Sequence, residues 1–511
     1  MRPAAPPPSP DDAVPPIQIG RRDRVLALAG VLAALLLSGL DQTIVATAGP
    51  EIQRSLRIPA ALYAWLTTAY LIALTVFLPI WGKLSDLYGR KPALVAGVVL
   101  FLTGSTFAGL APGTVTLLIA RAVQGLGAAS LFTSTLAVIA DLFPPAERGK
   151  YMGLIGGVMG LSSVIGPLAG GVITDTLGWH WVFFINLPIG AVALWFIITR
   201  MPRLGVPRRQ ARVDAAGALW LLVAVVPLLV ALSLAGENAG PRGGGGAAPP
   251  LAPLVAAGVI GLVAFIWTER RAPDPILDFA LLRRPDIGVP MATTFVLGGV
   301  FLISMVFLPL YLINVQGVSA TSAGLTMLPL TVGIVSGSVS AGQLASRLGH
   351  ARTILLTSLL VQMLAFALLG FLLRPDTSRA AVSAMMVLVG LGMGPALPLY
   401  TLIVQNAAGH ENLGVVTAGA TFARMLGQVV GVTVFGAVFA ALLGTPLTAG
   451  PDGAAIALNG GAAADPEYAR SLTAAVATLY RAGIGVVLVG FLLTLRVPEQ
   501  RLGGSVSPAA H

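Results

Sequence analysis

The chain of 511 residues contains no cysteine, which removes disulfides and thiolate metal ligands and leaves the redox compartment undefined. Histidine is nearly as scarce, with four copies and no ligand-like spacing, so neither a metal nor another cofactor is expected. No Gly-x-x-x-x-Gly-Lys-Ser/Thr loop is present to cradle a nucleotide phosphate. The apolar stretches hold no Ser/His/Asp set, no His-Glu-x-x-His helix and no paired acids, so enzymatic chemistry has no carrier. Above all, charge is sparse: 10% of residues are charged against 56% hydrophobic, and the mean hydropathy is +0.87. That is the composition of a chain dissolved in lipid rather than of a soluble core. What positive excess there is, +10 in all, is broken into short clusters between apolar runs. Anionic lipid and membrane topology account for such clusters, and no nucleic-acid partner is expected.

Against a spanning length of about 20 residues, the apolar windows number fourteen, centred near residues 36, 71, 101, 126, 162, 190, 225, 259, 300, 333, 362, 391, 428 and 486. Residues 1–22, with the run PAAPPPSP, read as a disordered tail. The apolar segment from Val25 is too long for a removable signal peptide and lacks a small-residue cleavage site, so it reads as a retained first span. An even number of spans puts both termini on one side. The basic clusters fall on that side: RRDR at 21–24, the loop with Arg200, Arg203, Arg208, Arg209 and Arg212, and the pairs Arg270/Arg271 and Arg283/Arg284. That side is therefore expected to be cytoplasmic, in a multi-pass protein of the cytoplasmic membrane. The loop QNAAGHENLG at 405–414 runs against the bias, with no Lys or Arg.

The chain also repeats itself. GKLSDLYGRKP at 82–92 follows the second span and GQLASRLGHAR at 342–352 follows the tenth. Short cytoplasmic loops collect Gly and Arg in any case, but the matching positions predict two related six-span halves, 23–200 and 287–497. Between them lies a segment, 201–286, holding two extra central spans, and 498–511 forms a second tail. The fold class expected is an all-α membrane bundle with the internal duplication of a transporter.

Five stretches in order carry a resemblance: LDQTIVATAGPEI at 40–52, GKLSDLYGRKP, LIARAVQGLGAAS at 118–130, GLSSVIGPLAGGVI at 160–173 and GWHWVFFINLPIG at 178–190. With them the chain resembles the major facilitator superfamily, in its fourteen-helix drug:proton antiporter branch, over nearly its whole length after the tail. Later stretches, LPLYLINVQGVSATSAGLTMLP at 308–329 and TFARMLGQVVG at 421–431, are similar to the same branch. The resemblance implies a cytoplasmic latch in the first loop. There Gly82 and Gly89 permit a tight turn, while Asp86, Arg90 and Lys91 stand ready for charge pairing or helix-end contacts. The second copy has Ser346 in place of Asp86, so a latch there should be weaker. Gly166, Pro167, Gly170 and Gly171 in the fifth span suit close helix packing and bending. Their Gly-Pro-x-x-Gly-Gly pattern resembles the element that marks export by antiport.

Charged side chains within a span cost roughly 2.5 to 3.5 kcal/mol on insertion scales and face a bundle interior or a watery cavity. Asp41, Arg121 and Arg424 lie well inside spans. If the first span starts near Arg24, Asp41 stands about 25 Å along it, and Arg121 about 12 Å below the outer end of the fourth, so their depths permit coupling. A desolvated carboxyl holds its proton more tightly and a neighbouring guanidinium releases it, so hydration and distance switch proton affinity. Asp41 and Arg121 are thus candidates for proton coupling; the alternative is a helix-capping Asp41 and an Arg121 that pins backbone carbonyls. Arg424 is a candidate substrate-pathway or pairing residue. Phe132, Phe184, Tyr311, Met327 and Phe422 are candidate walls of an apolar path, although such residues commonly pack against helices or lipid. The expected partners are protons, membrane lipid and a small amphipathic or aromatic organic substrate. Export of one endogenous metabolite, or a non-transporting receptor on the same fold, remain alternatives.

Overall fold

The computed structural model describes residues 20–58, 62, 65–202, 214–238, 251–273, 275–317, 326–408, 412–443 and 466–499. Most of the two expected tails and Arg203, Arg208, Arg209 and Arg212 lie outside these residues. Backbone amides and carbonyls in hydrocarbon have no water to bond, which leaves the helix as the form in which an apolar segment satisfies itself. The helices are α1 (Arg21–Ser55), α2 (Trp65–Tyr88), α3 (Arg90–Gly109), α4 (Thr114–Leu142) and α5 (Pro145–Leu177). They continue with α6 (Trp181–Arg200), α7 (Ala215–Asn238) and α8 (Leu251–Glu269). Then come α9 (Pro285–Asn314), α10 (Leu328–Leu348) and α11 (Ala351–Leu372), α12 (Arg379–Ala408), α13 (Leu413–Leu443) and α14 (Pro466–Leu495). A π-helical turn at Ile303–Phe307 interrupts α9.

Among the described residues, thirteen helices are long and apolar enough to cross a membrane, and α7 contributes a shorter apolar stretch, Ala215–Ala231. Large apolar side chains face outward along them, Phe107, Val115, Trp195, Val263 and Phe371 each being more than half exposed. Such a surface is a liability in water and the natural boundary in lipid.

The buried apolar residues separate into two principal bodies. One runs from Ala27 to Met201, with Met425 joining it; the other spans Leu297 to Val497. Helices α7 and α8 pack on one another, Gly258 against Leu228 and Gly261 against the Val223–Ala224 backbone. Leu221, Val225 and Phe265 of this pair form a separate cluster with Val76 and Ile80 of α2, and Phe422, Leu426 and Val429 of α13 pack against it. The pair therefore lies along the seam between the two bodies.

The bodies meet through α2 against α13 and α5 against α10. Bridging hydrogen bonds gather at the end where α1 begins, called proximal below. Arg148 Nη1 donates to Asn406 Oδ1 at 2.8 Å, Gln405 Nε2 to the Leu136 carbonyl at 3.2 Å, and the Lys150 amide to Ser346 Oγ at 3.2 Å. Glycines allow the backbones to approach: a Cβ on Gly342 would stand 2.0 Å from the Gly149 carbonyl oxygen. Gly342→Val should therefore wedge the proximal end apart. With no native cysteine, the result is readable as alkylation of Ser338→Cys, a buried position on this interface. Labelling is expected to rise at least about tenfold, equivalent to ~1.4 kcal/mol in the closing equilibrium. Unchanged labelling would show that α5 and α10 do not form the seal.

Candidate functional site: a buried ion pair and a cross-body latch

Asp41 on α1 and Arg121 on α4 are 0% and 1% exposed, and neither stands alone. Arg121 Nη1 donates to Asp41 Oδ2 at 2.5 Å and to Gln124 Oε1 at 2.7 Å, while its Nε donates to the Leu66 carbonyl at 3.0 Å. The other carboxylate oxygen, Oδ1, accepts from Gln124 Nε2 and from Asn186 Nδ2, each at 3.0 Å. Asn186 Nδ2 also reaches Ser105 Oγ at 2.9 Å, and Ser105 Oγ donates to the Phe183 carbonyl at 2.8 Å. The Tyr70 ring lies 4.6 Å below the Arg121 guanidinium, a cation–π distance, and its hydroxyl pairs with Ser38 Oγ at 2.9 Å. One polar atom in this pocket has no partner, Asn186 Oδ1. Every side chain of the pocket comes from α1, α2, α3, α4 or α6, within the first body.

Helix geometry explains the convergence. Gln124 lies three residues after Arg121 and so shares its face of α4. Gly104 on α3 lets Gln124 approach, since a Cβ there would meet the Gln124 amide at 2.7 Å. Helix α5 supports α1 from the side: Cβ atoms on Gly166 and Gly170 would meet Thr43 Oγ1 and Thr47 Oγ1 at 1.8 and 2.1 Å, whereas Gly171 faces open space. Thr43 Oγ1 donates to the Ser162 carbonyl at 3.0 Å, locking α5 to the turn of α1 that carries Asp41. Pro167 is within this helix.

The second constellation lies at the proximal end. Asp86 accepts the Gly414 amide at 3.0 Å and the Val415 amide at 2.9 Å, so a carboxylate of the first body caps the positive N-terminus of α13 in the second. Arg90 pairs with Asp86; its Nε donates to Asp141 Oδ2 at 2.8 Å and its Nη1 to Ser85 Oγ at 2.8 Å. Lys91 Nζ donates to the Ile198 and Met201 carbonyls at 2.7 and 2.8 Å, satisfying the C-terminus of α6. Gly89 takes φ +93°, a left-handed conformation that favours glycine, and a Cβ on Gly82 would meet the Gly414 carbonyl at 2.6 Å. Among the described residues, the hydrogen bond that the second copy of the loop makes across the bodies is the neutral Ser346–Lys150 one.

The remaining candidates do not all converge on one site. Phe132 and Arg424 face one another across the seam, 5.8 Å from guanidinium carbon to ring centroid. Phe422, half-buried, packs against the seam clusters. Phe184 stands edge-on to Trp181 against Gly109, inside the first body. Tyr311 is fully buried, donates to the Arg374 carbonyl at 2.6 Å and is a packing residue of the second body, against which Met327 also rests. Sequence reasoning passed over Gln124, Asn186, Ser105, Tyr70, Asp141 and the α13 N-terminus. It also passed over Glu269, 3% exposed, which accepts the Ile276 amide at 3.2 Å.

Two bodies of membrane-crossing helices joined along a seam, with an ion pair sealed in one of them, define a membrane transporter. The chain belongs to the Major Facilitator Superfamily, which its sequence matches over residues 31–432. It is similar to multidrug resistance protein 3 of Bacillus subtilis (strain 168), 37% identical over 402 residues covering 79% of this chain and 77% of that protein. The multidrug transporter protein MdtP of the same organism is also 37% identical, over 80% of this chain and 74% of its own length. A proton:xylose symporter of the superfamily superposes with a TM-score of 0.62 at 14% identity, over 94% of this chain and 97% of the symporter, a likeness of fold alone.

Proposed function

We infer that the protein is a proton-coupled exporter of amphipathic or aromatic organic compounds, working by alternating access. The observation that carries this reading is the Asp41–Arg121 pair, buried inside one body with both carboxylate oxygens hydrogen-bonded. All three side chains that touch the Asp41 carboxylate donate to it. Binding a proton there cancels the charge that holds Arg121, so proton occupancy and the α1–α4 contact are coupled. A protonated Asp41 needs an acceptor, and rotation of the Asn186 amide supplies its free Oδ1. Latch and glycine seam together favour a state closed at the proximal end. With the basic loops cytoplasmic, as the charge bias suggests, that state opens outward. Likeness to multidrug transporters supports organic compounds as cargo. We further assign fourteen spans, α7 included, with halves 23–200 and 287–497, the pair α7–α8 inserted between them in 201–286, and both termini in the cytoplasm.

At 100 mV one elementary charge crossing the membrane supplies about 2.3 kcal/mol, enough with a pH difference to drive uphill export. The test is flux of fluorescent aromatic compounds in proteoliposomes under an imposed pH gradient. Accumulation that collapses on adding a protonophore supports the reading; equal flux with and without the gradient overturns it.

A further inference from the structure

Arg424 lies ten residues beyond Gly414 on α13, about 15 Å from its proximal end and thus near the middle of a hydrocarbon layer about 30 Å thick. It belongs to the second body, yet its guanidinium faces the Phe132 ring on α4 of the first, at 5.8 Å. One residue on, Met425 Sδ accepts from Thr75 Oγ1 of α2 at 3.7 Å, so this turn of α13 lies on the seam. Midplane positions at a repeat interface are where transporters of this kind of architecture bind cargo. The side chain is half-buried, and its Nε is sealed from solvent with no hydrogen-bond partner.

The acids inside the bundle are engaged elsewhere. Asp41 holds Arg121, Asp86 and Asp141 hold Arg90, and Glu269 takes the Ile276 and Leu277 amides. Among the described residues no carboxylate pairs with Arg424. Arginine stays charged throughout the accessible pH range, and a buried charge left without a counter-ion is strongly unfavourable. Phe132 and Arg121 are eleven residues apart on α4, roughly 16 Å by helical rise, so this cation is remote from the Asp41 pair.

We propose that Arg424 anchors the anionic group of the transported molecule, with Phe132 stacking on its aromatic part, so that the cargo includes singly anionic aromatic compounds. This rests on the exporter reading for the direction of movement, but not for binding. The planar guanidinium matches a carboxylate or sulfonate in a two-bond fork, and its sealed Nε is the donor that such a group would satisfy. The arrangement selects against cationic compounds, which would meet Arg424 as a like charge.

The test uses purified full-length protein and a matched pair of probes, naphthalene sulfonate and its neutral sulfonamide. Equilibrium binding to wild type should favour the sulfonate at least about tenfold. Arg424→Gln should erase the preference while leaving sulfonamide binding unchanged, and Arg424→Lys should retain part of it. Absence of the preference in wild type, or its survival in Arg424→Gln, overturns the proposal. Equal loss of both probes in Arg424→Gln but not in Arg424→Lys would assign Arg424 a packing role and overturns it too. Proteoliposome flux separates the two readings: sulfonate preference in binding without gradient-driven movement of either probe refutes export and leaves the anion site standing. Movement of the sulfonamide without sulfonate preference refutes the anion site alone.

Discussion

Asp41→Asn is expected to reduce gradient-driven export by at least about a hundredfold, the scale on which a positioned proton-transfer group acts, while leaving the protein folded and able to bind its cargo. The substitution keeps the shape of the side chain and removes its charge. Arg121, Gln124 and Asn186 all donate to the Asp41 carboxylate, so either orientation of an asparagine amide sets a donor against a donor. Turning the Asn186 amide, whose Oδ1 is free, relieves one such clash. Export under a pH gradient and cargo-for-cargo exchange without one, measured in the same proteoliposomes, separate coupling from transport itself. Loss of the first with survival of the second supports Asp41 as the proton site. Parallel loss of both would mark the residue as structural.

Arg121→Met should cost more in stability than Asp41→Asn. Removing the guanidinium leaves a buried carboxylate without its counter-ion, a change worth roughly 3 to 5 kcal/mol in buried pairs, whereas replacing both partners by neutral groups is far milder. The Leu66 carbonyl and Gln124 Oε1 also lose their donor. Thermal unfolding in detergent should show a large fall in melting temperature for Arg121→Met and a smaller one for Asp41→Asn. The double variant should recover most of the loss. Additive effects in the double variant would mean that the two groups do not depend on one another.

Much of this architecture is legible in the amino-acid order because lipid imposes simple rules: length and hydropathy mark spans, and a charge inside a span demands a partner. Asp41 and Arg121 stand out for that reason; their matching depths permit coupling, and the contact itself is seen only in the fold. Neutral members of the pocket did not. Gln124, Asn186, Ser105 and Tyr70 are unremarkable within apolar runs, and only Gln124, sharing a helix face with Arg121, left a local signal. The cross-body contact at the proximal end is visible in the sequence on one side only. GKLSDLYGRKP announces Asp86 and Arg90, which pair with one another, but their distant partners are Asp141 at the end of α4 and two backbone amides at the start of α13. Backbone donors carry no residue code, and pairing across 328 positions is set by how the bodies pack. Aromatic residues were the least informative, since Tyr311 in a core and Phe132 on the seam look alike in sequence.

The central claim is that the protonation of one carboxyl decides which end of the seam is open. Its most direct measurement is the distance between spin labels at Leu110→Cys and Asp376→Cys, two exposed positions on opposite bodies at the distal end, in a chain with no other cysteine. Between acidic and alkaline buffer the wild-type distance distribution should shift from one separation to another, and Asp41→Asn should hold a single distribution throughout. A wild-type distance that ignores pH, or an Asp41→Asn variant that shifts just as the wild type does, would contradict the account.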